Sequence, residues 1–105
     1  MAKILAFLAL VNCVPQAVIN PSNSTFFLDG VVYVRPDQMR DHILVHELYH
    51  DCQWQRAGRQ GAKSWREWHY REWEAKRVEL EYIEWSAVNP GEAAPRFFEP
   101  RSGTR

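Results

Sequence analysis

The chain has 105 residues with balanced charge, 13 Lys and Arg against 13 Asp and Glu. That length supports one domain, and the 46% hydrophobic content is that of a globular chain rather than a disordered or fibrous one. Zero formal net charge excludes a global field steering the protein onto nucleic acid or acidic membranes, and two cysteines exclude a disulfide-rich scaffold or a four-cysteine zinc site.

Met1-Ala2-Lys3 followed by Ile4–Val11 resembles the charged and apolar parts of a secretory signal. Pro15 spoils the cleavage site, and Asn12 before Cys13 spoils a lipoprotein-type one. Residues 1–17 are therefore either a signal peptide or a buried first element. The first would make the protein secreted or periplasmic, the second cytoplasmic. The apolar run is too short to span a bilayer, so no stable membrane span is expected.

Pro21-Ser22-Asn23-Ser24 is a loop by composition. Thr25–Leu28, Asp29-Gly30 and Val31–Val34 read as a β-hairpin, because both turn positions need positive φ and Asp-Gly supplies it. Gln16–Ile19 could add a third strand. Two strands alone would be marginal, so the hairpin must pack on something.

Gln38–Ala57 is free of Gly and Pro and reads as a helix, with Asp37 as N-cap and Gly58 as its stop. Ser64-Trp65-Arg66-Glu67 fits a capping box. It opens a second helix running from Trp65 to about Ser86. Residues 89–105 form a Pro-rich tail whose only anchor is Phe97-Phe98. The domain between the N-terminal element and this tail thus spans 18–88. Cys52 falls on the core face of the first helix, and Trp65, Trp68 and Trp73 are expected to pack between the helices and the sheet.

His46-Glu47-Leu48-Tyr49-His50 carries the chemistry. One helical turn separates the histidines, so both imidazoles leave the same face and can hold one Zn²⁺. Glu47 stands beside them, placed to take a proton from a water that the zinc acidifies. A third ligand is needed. Seven residues separate His50 from the end of its helix and eight separate Ser64 from Glu72, so an antiparallel pair brings Glu72 level with the histidines. Glu74 lies about 200° further round the helix, in a charged stripe with Glu67, Arg71, Arg77 and Glu81, and reads as a surface charge.

The His-Glu-Leu-Tyr-His run together with Glu72-Trp73-Glu74-Ala75 resembles the gluzincin metallopeptidases, and the likeness extends over about Asp29–Glu79. Gln53 and Gly58 also resemble small bacterial and phage-encoded members. Lys76 departs from the acidic or amide residue that often follows the alanine. The resemblance implies a zincin-like α+β fold, a small antiparallel sheet on two long antiparallel helices. It also implies a peptide or protein substrate.

Around this centre, His69 is either an extra ligand or a residue packed among aromatics, and His42 lies near the helix mouth. Asp51 either orients a ligand histidine or is solvated. Gln53 is the better candidate for contacting a ligand or substrate. Hydrolysis of peptides is the leading expectation. A non-catalytic, zinc-stapled binding or structural protein, for example phage- or assembly-associated, is the alternative. A nucleic-acid surface built on Arg56, Arg59, Lys63, Arg66, Arg71 and Arg77 is set aside, because glutamates intervene and the net charge is zero.

Overall fold

The computed structural model describes residues 1–90. The tail from Gly91 onward, Phe97-Phe98 included, lies outside the described residues. The elements in chain order are α1 (Ala2–Leu10), β1 (Val18–Pro21), β2 (Phe26–Leu28), β3 (Val31–Val34), a single 3₁₀ turn (Pro36–Gln38), α2 (Asp41–Arg56) and α3 (Trp65–Val88). The fold is α+β, three helices and a three-stranded sheet.

The sheet is mixed rather than antiparallel, with strand order β1-β3-β2. β2 and β3 form the expected hairpin, Phe27 opposite Val32, and the turn residues Asp29 (φ 45°) and Gly30 (φ 85°) both take the left-handed conformation. β1, overlapping the anticipated third strand, runs parallel to β3 with Ile19 opposite Val32. Side-chain chemistry explains the order. β3 is apolar on both faces, burying Val32 and Val34, so it takes the centre where both edges are paired. β1 ends in Pro21, which lacks a donor and suits an edge.

α1 is built into the core, with Ile4, Phe7 and Leu8 buried and Phe7 set edge-on to Tyr82 of α3. Its exit is fastened by a disulfide between Cys13 and Cys52, the latter on the core face of α2 as its position suggested. An isolated pair of cysteines gave no grounds for that bond from sequence. Among the described residues no helix is long and apolar enough to cross a membrane.

α2 begins later than its sequence suggested. Asp37 does not cap it; its carboxylate instead accepts from Nε and Nη2 of Arg35 at 3.0 and 2.8 Å. The chain makes the 3₁₀ turn first, and Arg40, in extended conformation, precedes the helix. α3 starts as expected. Ser64 Oγ accepts the Glu67 amide at 3.1 Å, while Glu67 reaches back to the Lys63 amide at 2.9 Å.

α2 and α3 pack antiparallel, as the descending partners Asp41–Tyr82, His42–Glu79, His50–Glu72 and Gln53–Arg71 show. α3 buries Ala75, Val78, Glu79 and Tyr82. Trp65, Trp68 and Trp73 are all exposed, contrary to expectation. Trp73 leaves the helix about 160° round from Ala75 and Trp65 about 80° round, while Trp68 shares the azimuth of the buried arc but lies two turns before Ala75, so indole bulk did not decide what was buried.

Candidate metal centre

One nitrogen of His46, one of His50 and one carboxylate oxygen of Glu72 lie within 4.8 Å of one another. Glu72 Oε1 is 3.2 Å from His46 Nε2, and Oε2 is 2.7 Å from His50 Nε2. Both imidazoles come from one face of α2, their centroids 4.9 Å apart, and the carboxylate comes from α3.

The outward nitrogens of the two rings are held as well. His46 Nδ1 is 3.0 Å from Glu79 Oε1, and His50 Nδ1 is 2.7 Å from the amide oxygen of Gln53. Both partners accept, so each Nδ1 carries the proton and donates. Each Nε2 of a neutral ring then presents a lone pair toward a carboxylate. With both rings neutral, three acceptors converge with no hydrogen among them, an arrangement that a cation between them would relieve. Burial holds the His50 imidazole below its usual pKa, more strongly than its contacts with Gln53 and Glu72 raise it, and this disfavours a proton as that cation. The donor set of two imidazoles and a carboxylate suits Zn²⁺, leaving a fourth position for a water or substrate.

Glu79 is the functional residue that sequence reasoning missed. Its side chain is nearly buried and spans two histidines, with Oε2 2.9 Å from His42 Nδ1. Burial by itself raises this carboxyl, but the His42 hydrogen bond, the Lys76 charge and His46 outweigh it, so Glu79 stays ionised below the ordinary range. A carboxylate behind a ligating histidine fixes the ring and raises its basicity. The signal was present as spacing: Glu79 lies two turns beyond Glu72, and His42 one turn before His46.

Gln53 holds His50 and also donates to the Arg71 carbonyl at 2.9 Å and to Glu74 at 3.0 Å. Glu74 is therefore not the solvated charge anticipated, since it accepts from Gln53 and pairs with Arg56. Asp51 neither orients a ligand nor faces water. It is buried and accepts the Gln16 amide and the Gln55 side chain, both at 2.7 Å, tying the segment after α1 to α2. His69 is exposed, stacks on Trp65 at 5.5 Å and stays out of the cluster.

Beside the cluster lies a cleft of about 500 Å³ between strand β2 and the start of α3, with Glu47, His50, Trp54, Trp68 and Glu72 among its lining. Burial pushes the Glu47 carboxyl up to about 7; His46 pulls it down, and Glu72 and Glu79 push it up further. The exposed cations Arg56 and Arg77 and the largely buried Arg71 are paired within the chain to Glu74, Glu81 and Glu67 respectively.

The raised Glu47 carboxyl has a stability signature. In the folded protein it keeps its proton up to about pH 7, against 4.5 for an ordinary glutamate. Across that window the folded state binds more protons, so this group makes stability fall as pH rises. In chelator-treated protein, Glu47→Gln is expected to be more stable than wild type above pH 7 by up to about 3 kcal/mol. The advantage should shrink as pH falls through 7 and vanish below about 4.5. Urea titrations of both proteins at several pH values measure it, and a gain that grows toward low pH would contradict it.

Comparisons with protein families, with curated proteins and with solved structures return no match.

Proposed function

We propose that the protein is a zinc-dependent peptide hydrolase, a minimal zincin-like domain of gluzincin character. The observation that carries this reading is the convergence of His46 Nε2, His50 Nε2 and a Glu72 oxygen, with both Nδ1 atoms already committed to donating. Bound there, zinc would supply a Lewis acid that activates water and polarises a carbonyl.

The chain's own groups supply the rest. Glu47 lines the cleft with a carboxyl titrating near neutrality, suited to take a proton during attack and return it to the leaving amine. Glu79 and Gln53 hold the two imidazoles in the tautomer that ligates. The outer edge of β2 borders the cleft. With a two-residue turn, Leu28–Val31 is the hydrogen-bonded pair, which turns the Phe27 N–H and C=O toward the free edge. An extended peptide adding to that edge would lie across the cluster.

A second reading is a zinc staple without turnover, and the way the cluster joins α2 to α3 favours it. Metal bound across two helices of so small a domain contributes directly to folding. Zinc content of native protein, wild type against His46→Ala and Glu72→Ala, tests both readings at once. Wild type should carry stoichiometric zinc and His46→Ala essentially none. Glu72→Ala should bind it at least about 100-fold more weakly, beyond the usual loss for a supporting residue. A zinc-free wild type under zinc-replete conditions would refute the metal centre. Zinc without cleavage of any peptide in a diverse library would leave the staple.

A further inference from the structure

The long helix α3 uses only part of its circumference for the fold. At about 100° per residue, its buried residues Ala75, Val78, Glu79 and Tyr82 share one arc. The arc from about 40° to about 120° round from Glu79 carries Trp73, Lys76, Leu80, Ile83 and Ala87, all of them exposed. They recur at intervals of 3, 4, 3 and 4, the spacing of a helix–helix seam. Trp73, Leu80 and Ile83 are 55%, 51% and 44% exposed, a contiguous apolar row along one helix rather than scattered single residues.

We propose that this row is a homodimer interface in which α3 packs antiparallel against α3 of a second copy. The stretch of the row from Lys76 to Ala87 is complementary to itself in that direction, with Trp73 lying beyond the paired stretch. Setting Leu80 against the partner's Ile83 repeats, by the two-fold axis, as Ile83 against the partner's Leu80. The same register sets Lys76 against the partner's Ala87, whose small side chain leaves the lysine stem a path out to water. Along the flank, Arg77 comes beside the partner's Glu84, and Glu84 beside the partner's Arg77. A parallel pair would place two Lys76 side chains face to face within the seam and Glu84 alongside the partner's Glu79.

One helix pair sits at the small end of stable interfaces, so the dimer is reversible with a dissociation constant of micromolar order. In this register the pairing centres between Glu81 and Tyr82, about 14 Å along α3 from Glu72 at about 1.5 Å per residue. This inference goes beyond the hydrolytic reading and stands without it.

Sedimentation equilibrium of the full chain from about 1 to about 500 µM tests it. Wild type should pass from one chain mass to two as concentration rises. Leu80→Glu with Ile83→Glu, both on exposed positions, should weaken association at least about tenfold with an unchanged circular dichroism spectrum. Arg77→Glu alone should weaken it by opposing two glutamates, and adding Glu84→Arg should restore it. A monomer at every concentration would overturn the proposal and leave the row to the chain's own C-terminal residues or to another protein. So would a dimer indifferent to the Leu80 and Ile83 changes. Failure of Glu84→Arg to rescue Arg77→Glu would overturn the antiparallel register.

Discussion

Glu47→Gln is expected to keep its zinc and to lose at least about a hundredfold of its peptide-hydrolysing activity, the lower end for a missing general base. The three converging atoms belong to His46, His50 and Glu72, so the substitution leaves the proposed metal cage whole. It keeps the shape of the side chain and removes only its ability to exchange a proton. The loss should appear in kcat, with KM little changed, because Glu47 handles the proton during bond cleavage rather than gripping substrate. Single-turnover cleavage of one good library peptide, with zinc measured on the same samples, reads both quantities. Equal activity in the two proteins would remove Glu47 from the mechanism while leaving the metal centre in place.

Replacing both Cys13 and Cys52 by serine is expected to cost about 4 kcal/mol, the loop-closure value for residues 39 apart in sequence. A domain of this size holds only about 5–15 kcal/mol in total, so the melting temperature should drop by about 15 °C or more. The bond joins the end of α1 to a residue half a turn beyond His50, so the damage should begin with α1 releasing Ile4, Phe7 and Leu8 from the core. Substitution is preferable to a thiol reductant here, since thiols also bind zinc. Hydrogen exchange should show α1 amides losing protection before those of α2. An unchanged melting temperature would mean that core contacts alone hold α1.

The two long helices, the hairpin and the cap at Ser64 were legible in the sequence because each rests on local chemistry. Positive φ at Asp29-Gly30, a Gly- and Pro-free run and a serine three residues before a glutamate are all short-range signals. The juxtaposition of Glu72 with His46 and His50 was legible too, since helix rise and an antiparallel turn fix it by counting. What escaped was set by distant partners. Parallel pairing of β1 with β3 depends on which strand most needs two neighbours, a comparison no single segment makes. Glu74 looked like a member of a charged stripe and Glu79 shared the face of Glu72 with no partner assigned to it, and only packing against α2 shows that Glu79 holds two histidines and Glu74 anchors Gln53. The tryptophans misled in the opposite direction, because large apolar side chains do not bury themselves when smaller residues already fit the neighbouring helix more closely.

The hairpin tip also sets a dimension. Gly30 sits against the ring of Trp54, where even a methyl group would touch at 3.4 Å, and Trp54 rises from α2 one turn beyond His50. The gauge of the cleft is thus fixed by a spacer between the sheet and α2, while the geometry of the His46–His50–Glu72 cluster is fixed separately between α2 and α3. Trimming or enlarging the side chain at position 54 would move β2 relative to the cluster and leave the ligands where they are. Aperture and cluster geometry become independently adjustable, so on the proposed hydrolytic reading a chain of this plan can change which peptides it admits without rebuilding the centre.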